Sequence, residues 1–403
     1  MPKPSQNKLV IVIITMLAMV APFCIDTYLP SFPSIAADLN ASAVEMQQSL
    51  SLYLMGFAVM TLFYGALSDA LGRRTVILFA LTGFTLTSIG LFLAENIELF
   101  LFLRLVQGAF ASAGIVVGRA VVRDLFHGHQ AQQVMSAVMV LFGVAPAIAP
   151  IIGGFLETRF GWHSIFIFLS LFGALMIFLV LCRLRETLPS EKRHSMRPIA
   201  LLKNYGHALS RFHFLELCLI TALNFGGFFL YIMASPQIMF EHLGLGAGDF
   251  HIMFVPMVGG MMFGAYLAGR AAGRISVKRA LQTGYAMMLT GALLNIALSY
   301  SLPVSAVSVV TPLVLYGMGM SFCMPMLSIL GLDELPNHRG LASSLQSFVH
   351  MSMNALVAGA VVPLVFGNIQ HMALTMLLFF SLALLMFINV NRRKSLEYVV
   401  DPS

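Results

Sequence analysis

The stretch "RLRETLPSEKRHSMRPIALLKNYGHALSR", Arg183 to Arg211, is the longest polar segment of the chain and stands near its middle. On both sides the sequence is dominated by apolar runs of about 18 to 25 residues, the length a helix needs to cross a hydrocarbon core roughly 30 Å thick. Six runs precede the segment, at 9–30, 46–67, 75–94, 98–121, 132–156 and 163–183. Six follow it, at 213–235, 250–270, 280–300, 306–330, 341–365 and 371–391. A β-barrel would show ~10-residue segments of alternating character, whereas these runs are apolar throughout. The pattern predicts an all-α polytopic membrane protein, twelve transmembrane helices in two six-helix bundles, 1–185 and 213–403, joined by a basic linker at 186–212. Such a division is the arrangement of transporters built from two related halves. Two loops repeat in that sense: "GALSDALGRR" after the second run and "GAYLAGRAAGR" after the eighth, with Ala268 where the first copy has Asp69.

Composition supports the same class. Hydrophobic residues make up 59% of the chain against 10% charged, and the mean hydropathy is +0.88, more apolar surface than a soluble domain has use for. The net charge of +6 does not point to nucleic acid, because the basic residues are spread over many short loops. One alternate set of loops holds Lys3, Lys8, Arg73, Arg74, Arg123, the linker cluster, Arg270 to Arg279, Arg339 and Arg392 to Lys394; the other set holds only Arg159. The positive-inside rule then places both termini and the basic loops in the cytoplasm. Lys3 and Lys8 precede an apolar run with no small-residue cleavage pattern, so the first span is expected to be retained.

Enzymatic classes find little support. Cys24, Cys182, Cys218 and Cys323 stand singly in apolar segments, as packing residues do, with no disulfide or zinc spacing. No HExxH, GxSxG or phosphate-binding GxxxxGK[ST] pattern occurs, so neither an intramembrane enzyme nor an ATP-driven pump is expected, and no metal or cofactor is implied.

Against this apolar background "PFCIDTYLP", residues 22 to 30, places a carboxylate, Asp26, inside the first run. Arg104 falls inside the fourth, and at 1.5 Å of rise per residue both lie roughly 6 to 9 Å below the outer boundary, where they can meet. A charge inside a span is costly unless paired or wetted, which makes such residues functional candidates. Asp26 reads as a proton-titrating carboxylate, as half of a static ion pair with Arg104, or as a helix-end carboxylate in contact with outside water. In the first case apolar surroundings and the arginine act on its proton affinity in opposite senses, so protonation would respond to conformation.

"GALSDALGRRTVIL", Gly65 to Leu78, resembles the signature loop of the major facilitator superfamily. The resemblance implies that Gly65 and Gly72 allow a tight turn and close helix approach, and that Asp69 and Arg73 form a charge cluster with Asp124 of "VVRDLF", a conformational gate. "LFLRLVQGAFASAG" resembles the family's fourth-span pattern, with Arg104 and Gln107 about one turn apart. "GVAPAIAPIIGG" is similar to the antiporter pattern of the fifth span, carried here by Gly143, Pro146, Pro150, Gly153 and Gly154, with Ala149 where a glycine is usual. With "DTYLPSFPSIAADL", "QSLSLYLMGFAV" and "RETLP", the first half looks like the bicyclomycin- and chloramphenicol-resistance branch of the drug:proton antiporters. That implies a multi-pass protein of a bacterial inner membrane, acting as a monomer on protons and a small-molecule substrate.

Other polar residues sit at depths where such transporters bind cargo between their halves: Tyr53, Gln107, Asn224, Tyr231, Gln346 and His350. Each reads equally as a helix–helix hydrogen bond, and His350 also as a second proton carrier. Glu216 and Asp249 fall at span ends and are expected to be interfacial charges. The expected function is export of small hydrophobic or amphipathic compounds in exchange for protons. The alternative is a dedicated carrier of one metabolite such as a siderophore, nucleoside or amino-acid derivative.

Overall fold

The computed structural model describes residues 4–193, 203, 205, 206, 208, 210–336 and 339–393. Among them are twelve helices long and apolar enough to cross a membrane, at the positions the hydropathy pattern sets out, and no strand. Outward-facing Phe79, Leu86, Leu171 and Leu364 are exposed, as the lipid-facing side of a spanning helix requires.

The chain divides into two compact units, Met1–Ile199 and Ala200–Ser403. The first contains α1 (Pro4–Asp26), α2 (Phe32–Asp38), α3 (Ala43–Leu71), α4 (Arg73–Phe92), α5 (Ile97–Leu125), α6 (Gly128–Phe160) and α7 (His163–Arg183). The second contains α8 (Phe212–Met233), α9 (His251–Ala271), α10 (Val277–Ser301), α11 (Ala306–Asp333), α12 (Arg339–Leu356), α13 (Val362–Val365) and α14 (Ile369–Arg393). Of the linker expected at 186–212, residues 194–202, 204, 207 and 209 lie outside the described residues.

Local chemistry sets the helix ends. The Ser42 hydroxyl accepts from the Glu45 amide while the Glu45 carboxylate accepts from the Ser42 amide, so two orphan donors are satisfied at the start of α3. Asn96 caps α5 through the Leu99 amide, and Ser276 caps α10 through that of Arg279. The first span differs from a single uninterrupted helix: α1 stops at Asp26 and the chain passes through a 3₁₀ turn, Leu29–Ser31, into α2. Pro30 explains the break, since it has no N–H for the carbonyl of Asp26 four residues earlier and its ring would crowd that oxygen.

The same pairwise packing recurs in both units. In the first, the second span (α3) packs on the fourth (α5), the third (α4) on the fourth and on the sixth (α7), and the first (α1) on the fourth, fifth and sixth. In the second, the eighth span (α9) packs on the tenth (α11), the ninth (α10) on the tenth and the twelfth (α14), and the seventh (α8) on the tenth, eleventh and twelfth. Each of these partnerships in the first half has its counterpart six spans later.

Candidate functional site

Asp26 hangs from the last residue of α1 and is 4% exposed, with no hydrogen bond or ion pair from its carboxylate to any described residue. A carboxylate at a helix C-terminus also faces the negative end of the helix dipole. Arg104 is fully buried nearby, but the direct pairing with Asp26 expected from their equal depth is absent. Its Nη1 instead donates to the main-chain carbonyl of Cys24, at 3.3 Å, and to Oε1 of Gln107, at 2.6 Å. The rings of Tyr28 and Tyr53 lie 4.5 Å and 4.6 Å from the guanidinium carbon, and the Nε and Nη2 donors that lack hydrogen bonds are left to these π faces. Depth along the membrane normal fixes height but not direction. Arg104 therefore closes the C-terminal end of α1, satisfying one of the carbonyls that the break at Asp26 exposes.

The remaining contacts hold this arrangement rigid. Gln107 Nε2 donates to the Ser88 hydroxyl at 2.9 Å, which ties α5 to α4. The Tyr53 hydroxyl donates to the carbonyl of Ala21 at 3.3 Å, and that of Tyr28 exchanges a hydrogen bond with Ser49 at 2.6 Å. Tyr53 and Gln107, read from sequence as separate cavity residues, thus belong to the shell around Arg104.

Helix α6 approaches this end of α1 closely. A Cβ at Gly153 would collide with the carbonyl of Thr27, the residue next to Asp26, so a side chain there would force the helices apart. Gly154 and Pro150 are buried beside it, Pro146 is half-buried within α6, and Gly143 has open space around it. Farther along α6, the Glu157 carboxylate accepts hydrogen bonds from the hydroxyls of Ser31 and Ser34, and Trp162 Nε1 donates to Asp38 at 2.6 Å. These contacts pin the bent continuation of the first span against the fifth and sixth.

At the opposite end of the unit, Arg73 gathers the acidic residues. Its guanidinium pairs with Asp69 at 2.5 Å and Asp124 at 3.1 Å and donates to the Ser68 hydroxyl at 2.7 Å. Glu186 completes the cluster, although the sequence reading assigned it to the linker. Its carboxylate accepts from the main-chain amides of Arg73, at 2.8 Å, and Arg74, at 3.2 Å, capping the first turn of α4 where the helix dipole favours an anion. Thr187 adds a hydrogen bond to Asp124 at 3.0 Å. Gly72 joins α3 to α4 with φ of +98°, a conformation open to glycine and strained for other residues. Gly65 has no atom within 4 Å of an added Cβ, so no close approach to a described residue explains it.

In the second unit, Asn224 and Tyr231 on α8 are engaged with residues the sequence reading passed over. Asn224 Nδ2 donates to the Tyr285 hydroxyl at 3.0 Å, and Tyr231 accepts from Asn295 Nδ2 at 2.6 Å. Gln346 and His350 share one face of α12 with Asn354 at successive four-residue steps. Gln346 accepts from the Ser328 hydroxyl at 2.9 Å and His350 packs on the Phe225 ring at 4.6 Å. Gln346 Nε2, His350 Nε2 and Asn354 Oδ1 are buried without a hydrogen-bond partner among the described residues, as are Asn224 Oδ1 and Ser235 Oγ in the same unit. Glu216, near the start of α8, is 6% exposed, with His213 Nδ1 3.6 Å from its carboxylate. Asn295 and Asn354 lie inside spans, and their polarity within apolar runs is the signal that could have marked them.

Two units of repeated packing, apolar on their outer faces and enclosing ionisable groups within spanning helices, define a membrane transporter of the secondary-carrier class. The chain belongs to the Major Facilitator Superfamily, whose pattern matches residues 14–358. Over 347 residues it is 34% identical to the uncharacterized MFS-type transporter YdgK of Bacillus subtilis, covering 85% of this chain and 86% of that protein. Over 382 residues it is 30% identical to the bicyclomycin resistance protein homolog of Haemophilus influenzae, covering 92% and 94%. The crystal structure of a D-xylose–proton symporter shares the fold, with a TM-score of 0.70 at 15% identity over 94% of this chain and 97% of that one.

Proposed function

We infer that this transporter exports small hydrophobic or amphipathic compounds across a bacterial inner membrane in exchange for protons, by alternating access, with both termini in the cytoplasm. The observation that carries the reading is Asp26, a buried carboxylate without a hydrogen-bond or ion-pair partner among the described residues, at the broken end of a spanning helix. A static ion pair would place Arg104 on that carboxylate, yet Arg104 is committed to the Cys24 carbonyl, Gln107 and two tyrosine rings. Asp26 is then the group that gains and loses the proton, and its charge state acts on the end of α1 that Arg104 holds. Tyr53 and Gln107 position Arg104; Asn224, Tyr231, Gln346 and His350 contribute to cargo binding. The Asp69–Arg73–Asp124 cluster, with Gly65 and Gly72 at the turn, serves as the gate that breaks and reforms between states.

Export of drugs is favoured by the similarity to a bicyclomycin resistance protein homolog and by the antiporter-like glycines and prolines of α6. The test is transport by purified protein in proteoliposomes under an imposed pH gradient, against a panel of antibiotics and metabolites. Gradient-driven movement of several unrelated amphipathic compounds is the expected result. Selective movement of one metabolite would overturn drug export in favour of a dedicated carrier, and transport indifferent to the gradient would overturn proton coupling.

A further inference from the structure

The turn between α9 and α10 carries four exposed cations, Arg270, Arg274, Lys278 and Arg279. None of their side chains has a hydrogen bond or ion pair to another described residue. The nearest acids along the chain are Asp249 and Asp333, and nothing between them is acidic. Asp249 lies just before the other end of α9, about 30 Å away along the axis, and Asp333 is taken by Arg339 at 2.8 Å. Glu216 and Glu334 flank His213, at 3.6 Å and 3.9 Å.

The corresponding turn of the first unit is neutralised from within. There Arg73 holds Asp69 and Asp124, and Glu186 sits on the amides of Arg73 and Arg74. In the second unit Ala268 stands opposite Asp69, so this copy of the turn keeps the cations and lacks the acid beside them.

The fold also holds these charges at the membrane boundary. Helix α9 ends at Ala271 and α10 begins at Val277, and the turn between them closes tightly, with Gly273 at φ of +74°. A turn that short between two spanning helices cannot carry its cations far from the bilayer surface. Tyr266, exposed one turn before Arg270, has that guanidinium 5.3 Å from its ring centroid and Phe263 stacked on it at 6.4 Å. Exposed tyrosine at a span end is characteristic of the headgroup layer. Lys278 and Arg279 fall in the first turn of α10, where the helix dipole disfavours cations and no acidic residue offsets it.

We propose that this turn docks on anionic phospholipid, with the phosphates of acidic headgroups against Arg270, Arg274, Lys278 and Arg279. Clustered cations beside a spanning helix attract an anionic bilayer surface through their summed field, and arginine adds a fork that fits phosphate oxygens. A zwitterionic headgroup has the same phosphate but brings its own cation, so net negative lipid is preferred. The partner is a lipid class rather than a cargo, and the inference stands apart from the direction and coupling of transport.

The test uses purified full-length protein in detergent, titrated with fluorescent phosphatidylglycerol and, separately, with fluorescent phosphatidylcholine of the same acyl chains. The wild-type protein should bind phosphatidylglycerol about tenfold tighter, a difference that shrinks as salt is raised. Arg270→Gln/Arg274→Gln and Lys278→Gln/Arg279→Gln should each lose roughly threefold of that preference, and the combined substitution nearly all of it. Arg270→Lys/Arg274→Lys/Arg279→Lys should keep most of it, because the charge is conserved. Arg183→Gln/Arg185→Gln, which removes exposed cations at the end of the sixth span, should leave it unchanged. Unaltered phosphatidylcholine binding shows that a variant is folded. Equal wild-type affinities, a preference that survives the combined substitution, or an equal loss in Arg183→Gln/Arg185→Gln would overturn the proposal. So would a preference erased by inorganic phosphate at an ionic strength where chloride leaves it intact, since the cations would then belong to a soluble anion.

Discussion

At the scale of single residues, the chemistry turns on how Arg104 is satisfied. A guanidinium between two tyrosine faces uses its planarity, which a lysine ammonium lacks. Arg104→Lys should therefore cost about 2 kcal/mol of stability, from lost cation–π contact in a desolvated site and a loosened grip on the Cys24 carbonyl. Thermal unfolding of the purified variant measures this, and an unchanged transition would show that the rings contribute nothing. Both Asp26 and Arg104 were legible in the sequence as charges in apolar runs, and their similar depth was legible too. The missing ion pair was not, because hydropathy gives the height of a side chain and says nothing of its direction around the helix. The break after Asp26 had a readable cause in Pro30, and its effect, a free carbonyl for Arg104 to take, emerges only with α1 and α5 packed together.

At the scale of elements, α6 and α4 each depend on a contact that the sequence motif does not spell out. Two glycines of the α6 pattern carry different loads: Gly153 sits against the Thr27 carbonyl, whereas Gly143 faces open space. Gly153→Ala should destabilise the protein by roughly 1 to 3 kcal/mol through overpacking. Gly143→Ala should leave it level or slightly more stable, because the added methyl meets nothing and alanine favours the helix. Comparing the unfolding temperatures of the two variants checks the difference, and equal losses would contradict the packing argument. For α4, Glu186→Ala removes the carboxylate that accepts the Arg73 and Arg74 amides. Hydrogen exchange in the peptide that begins at Gly72 should quicken about tenfold for a cap worth roughly 1 to 2 kcal/mol. Unchanged exchange would place the capping of α4 elsewhere. "RETLP" could be read as a recurring sequence feature, but a polar residue just past a span looks like any loop charge until the fold brings it onto a helix end.

For the whole molecule, length and apolar content settled twelve spans, because a helix in lipid must satisfy its own backbone and its outer face must stay apolar. The repeat between halves is weak in sequence, where Ala268 stands opposite Asp69, and clear in packing, where the main partnerships of the first six spans recur in the last six. Divergence at the residue level with retained partnership is expected when the requirement is a close fit between helix faces. The same divergence has specialised the units: the first holds Asp26 and two intramembrane arginines, and the second offers the Gln346, His350 and Asn354 stripe. Buried polar atoms of that kind were only partly legible, since a polar residue in a span can bond a neighbouring helix or await a ligand and the sequence does not distinguish the two.

Proton coupling through Asp26 is the claim on which the transport reading rests. The direct measurement is uptake into inside-out vesicles or proteoliposomes by Asp26→Asn, a variant of nearly the same shape that cannot ionise, with and without an imposed pH gradient. Binding and gradient-independent exchange of cargo should persist, and the stimulation by the gradient should disappear. Full gradient-driven transport by Asp26→Asn would contradict the claim and move the proton to another group.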